Sequence, residues 1–186
     1  MAAAQKKALR ESRRIVFIDE SGLSERPHRV RTWAPVGQTP VLEFNFSWQK
    51  LSAIAGLSRR SFCFRLHPGA IRTPQVIAFL GQLRRHFPGK LLVIWDRAQI
   101  HRSLRVRRHL EKHQDRIVVA YLPAYAPELN PVEYLWGYWK ERELANFCPK
   151  DIWELGHFAS QALQRIRRRP KRRQIIAAFW KQADLF

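Results

Sequence analysis

Five consecutive large apolar residues, Leu91-Leu92-Val93-Ile94-Trp95, run straight into Asp96 and constrain the fold more than any other stretch of this 186-residue chain. A run with no polar alternation predicts a strand covered on both faces, as interior strands of α/β sheets are. A basic helix is expected next, from about Arg102 to Gln114, and then a further strand over residues 117–122. Strand, helix and strand in that order imply a right-handed parallel crossover. A second apolar run, Ile15-Val16-Phe17-Ile18, ends in the same manner at Asp19-Glu20-Ser21-Gly22. Open α/β sheets present their chemistry outside the carboxyl ends of the strands, so both aspartates fall where a site would form.

The remaining segments fill in a single domain over residues 14–186. Residues 50–57 and 61–66 read as a β-hairpin, the second strand alternating Phe62, Phe64 and Leu66. Thr73-Pro74 opens a helix with apolar positions Val76, Ile77, Leu80 and Leu83, and Pro88-Gly89 stops it. Residues 151 to about 169 form a helix that turns steadily more basic, and Ile175, Ile176, Phe179 and Trp180 imply that the end of the chain docks. Residues 23–49 hold Pro27, Pro35, Gly37 and Pro40 and read as a long irregular excursion; its Trp33, with Trp48, is taken as a packing anchor, DNA contact being the alternative. Residues 1–13, rich in Ala, Lys and Arg without clear apolar periodicity, are expected to be a basic arm or a linker remnant.

Charge narrows the function. Lys and Arg number 34 against 15 Asp and Glu, a formal net charge of +19. Such a field attracts polyanions, with nucleic acid ahead of an anionic membrane surface. No apolar run approaches the roughly 20 residues that cross a bilayer, and the start lacks a signal-peptide core. Cys63 and Cys148 are far apart and outside any C-x-x-C pattern, which suits reduced thiols better than a disulfide framework.

A third acid comes from residues 121–140, a strand end, a proline-rich loop and a helix start. Asn130 suits the N-cap and Pro131 the first helical position. Val132, Leu135, Trp136 and Trp139 form an apolar stripe, whereas Glu133, Gly137 and Lys140 share another face, the glycine leaving room beside the carboxylate. Glu133 has two readings, completion of a capping box with Asn130 or a carboxylate aimed at the two aspartates. Asp19 could likewise cap a turn with Ser21, and Asp96 the helix after it. If two parallel strands bring Asp19 and Asp96 together and Glu133 crosses their edge, the three carboxylates repel unless a cation lies between them. Oxygen ligands suit Mg²⁺ or Mn²⁺, and two such ions support in-line displacement at phosphorus. With the basic charge, the combination points to metal-dependent phosphodiester chemistry.

The order Asp19-Glu20-Ser21-Gly22, then Trp95-Asp96-Arg97-Ala98-Gln99-Ile100-His101-Arg102, then Leu122-Pro123-Ala124-Tyr125-Ala126-Pro127-Glu128-Leu129-Asn130-Pro131-Val132-Glu133 resembles the DDE transposases of the mariner superfamily, and most of all their bacterial insertion sequence 630 branch. Trp33-Ala34-Pro35-Val36-Gly37-Gln38-Thr39-Pro40 resembles that branch too. The resemblance implies a ribonuclease H-like α/β fold, a mixed five-stranded sheet with antiparallel hairpin strands plus parallel strands and helices on both faces. It implies that Asp19, Asp96 and Glu133 are a catalytic, metal-binding triad for two Mg²⁺ or Mn²⁺ ions. DNA end cleavage and strand transfer by the freed 3′-hydroxyl, usually at TA dinucleotides, would be the activity. DNA ends, target DNA, a second copy in a homodimer and an upstream helix-turn-helix segment would be the partners, in a bacterial cytoplasm at the nucleoid. No helix-turn-helix fits residues 1–13, so a catalytic half, frameshift-joined or truncated, is expected.

Around the triad, Arg97 stands where relatives often have Asn, and is read as a phosphate holder or a weakener of metal binding. His101 matches the family's histidine and is read equally as a contact to the scissile phosphate or a cap on the basic helix. Glu20, expected on the opposite strand face from Asp19, is secondary, and Asn130 caps and orients. DNA backbone contacts are assigned to Arg102, Arg105 and Arg108 and to Arg165, Arg167, Arg168, Arg169, Lys171, Arg172 and Arg173. A ribonuclease H-like nuclease on another nucleic acid, or an inactive DNA-binding remnant, are the rival readings.

Overall fold

The apolar runs become the middle of a five-stranded sheet ordered β3-β2-β1-β4-β5, in a computed structural model that describes residues 2–44, 47–124, 126–169 and 172–183. The strands are β1 (Arg14–Ser24), β2 (Lys50–Leu57), β3 (Phe62–Pro68), β4 (Leu91–Trp95) and β5 (Ile117–Tyr121). β1, β2 and β3 pair antiparallel, whereas β1, β4 and β5 pair parallel. The helices are α1 (Ala2–Arg10), α2 (Thr73–His86), α3 (Leu104–Glu111), α4 (Pro131–Tyr138), α5 (Ile152–Arg168) and α6 (Arg172–Gln182).

Alternation along each strand feeds two cores. Phe17, Leu92 and Ile94 join Val132, Leu135 and Trp136 of α4 and residues of α5 and α6 on one face. Val16, Ile18, Leu91, Val93 and Trp95 join α2 and Val106 of α3 on the other. Two covered faces are the reason that these strands carry no polar alternation. α2 comes so close to β2 that a Cβ on Gly56 would stand 2.5 Å from Leu83 Cδ2. The end of the chain docks through Ile176, Phe179 and Trp180, and the Trp180 ring meets Phe17 edge-on at 5.2 Å. No helix among the described residues is long and apolar enough to cross a membrane.

Four expectations are refined or corrected. Residues 2–10, within the segment read as a basic arm or a linker remnant, are helical, and Ala8 is buried in the core beside β1. β1 does not end at Asp19. Its ladder with β4 stops at Phe17↔Ile94, but pairing with β2 continues to Ser24↔Lys50, so strand geometry extends through residues that locally resemble a turn. The basic helix is shorter than residues 102–114, because Ser103 rather than an earlier residue accepts the Val106 N–H as its cap. Trp33 is fully exposed and Trp48 is 84% exposed, so neither is an anchor. The excursion that carries Trp33 is pinned instead by Asn146, whose side chain accepts from Val30 N–H at 2.8 Å and donates to Val30 O at 2.9 Å.

Candidate active site

Strand parity puts Asp19 and Asp96 on one side of the sheet. Phe17 and Ile94 face α4, so the residues two further on in each strand direction return to that face, just past the end of the β1–β4 ladder. Asp19, Asp96 and Glu133 there line one open pocket of about 390 Å³, with Arg97, Leu122, Pro127 and Asn130 in its wall.

α4 is tied to this edge by two side chains. Asn130, buried at the N-cap, accepts the Val132 N–H and donates Nδ2–H to Ile18 O at 3.2 Å. The Ile18 carbonyl, one residue beyond the last β1–β4 pair, therefore receives a side-chain donor where a neighbouring strand has run out. Trp136 donates its indole Nε1–H to Asp19 Oδ2 at 2.9 Å. The capping box, one of the two readings of Glu133, does not form, because Asn130 N–H is already taken by Pro127 O at 2.8 Å. Its carboxylate is left to the pocket. On the same helix face Gly137 has open space around the place of a Cβ, and Lys140 follows in a π-helical turn (Trp139–Glu143).

Asp96 is held by one oxygen. Its Oδ1 accepts from Ala98 N–H at 2.9 Å and from His101 Nδ1 at 2.7 Å. The turn at Ala98 replaces the helix cap considered for Asp96. His101 is neither that helix's cap nor at the pocket surface. It is 1% exposed, stacks on Trp95 at 4.4 Å with the rings 1° from parallel, and bonds Glu20 Oε1 through Nε2 at 3.0 Å.

The electrostatics follow from this crowding. Burial, then the charges of Glu133 and Glu20, push Asp19 up to about 8, against the Trp136 hydrogen bond. Glu133 is also raised, first by desolvation, with Lys140 opposing and Asp96 adding. Asp96 is lowered, chiefly by the His101 hydrogen bond. Burial works against charge on His101, but its bonds to Asp96 and Glu20 win and hold it at about 9. Burial lowers Lys140, while Glu133 and Asp19 pull it back up. Three coupled carboxylates on one pocket are a hard-oxygen donor set that fits a divalent cation. Among the described residues no group of three His, Cys, Asp or Glu side chains stands close enough together to hold a metal ion as placed.

The basic residues divide. Arg97, Arg102, Arg105 and Arg108 are exposed beside or beyond the pocket on the loop and α3. Arg165 and Arg169 both pair with Glu143, at 3.2 and 2.6 Å, and Arg169 also donates to the Tyr138 hydroxyl. Arg167 lies over the Phe64 ring and Arg168 faces outward. Lys171 and the side chains of Arg172 and Arg173 lie outside the described residues. Sequence reading missed Trp136 and Lys140 as members of the site. A buried indole N–H usually requires an acceptor, and that was the available signal for Trp136.

The profile of the DDE superfamily endonucleases matches residues 14–155. Among solved structures, the chain is similar to the Mos1 mariner paired-end complex with Mn, at 19% identity and a TM-score of 0.69 over 98% of this chain and 59% of that one. It is similar to the Mos1 strand transfer complex at 17% identity and TM-score 0.60, over 100% and 61%. The Mos1 catalytic domain with Raltegravir and Mn gives 17% identity and TM-score 0.64, over 98% and 86%. The chain thus spans about three-fifths of the length of the transposases in the paired-end and strand-transfer complexes. No curated protein matches the sequence. The five-stranded mixed sheet and its helices are a ribonuclease H-like fold of the kind seen in that catalytic domain. The chain is a member of the DDE superfamily endonucleases.

Proposed function

We propose that this chain is a transposase catalytic domain that cleaves DNA at element ends and joins the freed 3′-hydroxyl to target DNA. The observation that carries the reading is the convergence of Asp19, Asp96 and Glu133 from two strands and a helix on one pocket, in a chain of the DDE endonuclease family. Those three carboxylates would hold Mg²⁺ or Mn²⁺, two ions in the full reading. Bound there, the metal supplies Lewis-acid stabilisation of charge at phosphorus and a more acidic attacking water or hydroxyl.

The chain's own residues set the stage. Asp19 is steadied through Oδ2 by Trp136 and Asp96 through Oδ1 by Ala98 and His101, so each has its other oxygen to offer. Arg97, exposed at the pocket wall and paired with no acid among the described residues, is suited to a phosphate of the bound strand. The exposed arginines of α3 extend positive charge away from the pocket, giving affinity without sequence readout. End recognition would come from an upstream helix-turn-helix segment, and synapsis from a second copy. Membership of the insertion sequence 630 branch, and hence a bacterial nucleoid location, rests on the motif resemblance.

Nicking of supercoiled plasmid in Mn²⁺ or Mg²⁺ tests the reading. Asp19→Asn, Asp96→Asn and Glu133→Gln are each expected to lower it by roughly a hundredfold or more while the protein stays folded. Full activity in any one removes that residue from the triad.

A further inference from the structure

We infer that Glu20 and His101 are a positioning pair that occupies Oδ1 of Asp96 and so restricts this aspartate to one-oxygen ligation of a metal through Oδ2. The inference rests on the proposed metal site and deepens it.

The geometry is specific. Both donors that reach Asp96, the Ala98 N–H and His101 Nδ1, converge on the same oxygen, at 2.9 and 2.7 Å. A carboxylate oxygen with two such donors has little acceptor capacity left, whereas Oδ2 has none of these bonds. His101 cannot easily leave this arrangement. Its ring is 1% exposed, lies flat on Trp95 at 4.4 Å, and its other nitrogen is bound to Glu20 Oε1 at 3.0 Å. Glu20 comes from the β1 face opposite Asp19, so adjacent residues of one strand serve the site from two sides. Asp19 contributes its carboxylate directly, and Glu20 reaches Asp96 only through the imidazole. Carboxylate, imidazole and carboxylate in series restrain a ligand's rotation and fix which lone pairs face the cation. Asp19 shows the same economy by different means, with Oδ2 held by Trp136. Each aspartate thus has one tethered and one available oxygen, a disposition suited to the octahedral demands of Mg²⁺ or Mn²⁺, which favour single-oxygen ligands and retained waters.

Mn²⁺ binding to the intact chain without DNA, followed by electron paramagnetic resonance and by titration calorimetry, tests the pair. Glu20→Ala removes a side chain that is one-fifth exposed and leaves the buried stack of His101 on Trp95 in place. It is expected to weaken Mn²⁺ binding about 10- to 100-fold. Glu20→Gln keeps an oxygen acceptor opposite Nε2 and is expected to restore most of the affinity. Glu20→Ala that binds Mn²⁺ as tightly as wild type overturns the inference, even if its metal-free melting temperature falls, because the pair is then merely structural. Wild-type protein that binds no Mn²⁺ overturns the metal-site reading itself, an outcome distinct from the first.

Discussion

Asp19 illustrates the conflict between a residue's duty and its stability. Its carboxyl, at about 8 in the fold, titrates near 4 when the chain is unfolded. The folded state therefore holds a proton that the unfolded state has lost, and stability of the metal-free protein falls as pH rises from about 4 to 8. Asp19→Asn removes that slope. At pH 8 the variant is expected to be more stable than wild type by about 2–4 kcal/mol, the difference vanishing below pH 4. Denaturant melts at several pH values without divalent metal measure it; equal slopes for the two proteins would refute the buried-charge account. Asn130 is the opposite case, a residue that serves both ends. Asn130→Ala loses a helix cap and leaves Ile18 O without its donor, so a cost of about 2–4 kcal/mol is expected in the same melts. At this scale, sequence reading singled out the three acids that line the pocket because each follows or opens a strongly patterned segment. It could not see that the Asn130 N–H is already engaged by Pro127 O, which settles the fate of the Glu133 capping box. Nor could it see the link from Glu20 to Asp96, since the connection runs through a histidine 81 positions away.

Among the elements, β4 was the most legible, and the reason is geometric. All five of its residues are buried because alternate side chains enter two different cores. β1 was legible only in its first half. Beyond Ile18 its strand conformation is imposed by the ladder to β2, and Asp19-Glu20-Ser21-Gly22 carries no local strand signal. The same holds for α1, whose burial of Ala8 depends on a neighbour that no local pattern reveals. The tight crossing of α2 over β2 makes a sharp test of element packing. Gly56→Ala sets a methyl 2.5 Å from Leu83 Cδ2 and 3.3 Å from Val16 Cγ1, both fully buried. A loss of about 1–3 kcal/mol is expected from thermal or denaturant unfolding, and an unchanged stability would mean that α2 can lift away freely.

For the whole molecule, net charge is less informative than where it is already spent internally. Arg165 and Arg169 are drawn onto Glu143, whose side chain is 5% exposed, so part of the dense basic run is committed to holding α5 against the turn after α4. Among the described residues the exposed arginines of α3 pair with no acid, and Arg107 donates only to the Arg102 carbonyl. Replacing Arg102, Arg105 and Arg108 together by Gln is expected to lower the slope of log affinity against log salt by about 2–3 on duplex DNA. Fluorescence anisotropy across a salt series gives that slope directly. An unaltered slope would exclude Arg102 and the arginines of α3 from the proposed DNA contact, whereas unaltered Mn²⁺ binding in the same protein would show the pocket intact.

The donor from Asn130 to Ile18 O spans 112 positions of the chain. Long-range closures of this kind form late, after the local hairpin β2–β3 and the crossover through α2 can already exist. During synthesis, a ribosome-bound chain that has exposed Asp19 and Asp96 still lacks Glu133, and lacks the side chain that finishes the open edge of β1. Assembly of the three-carboxylate pocket is therefore coupled to completion of the fold. Under the proposed function, a partly made chain drawn to nucleic acid by its basic charge would have no assembled carboxylate pocket with which to cut it.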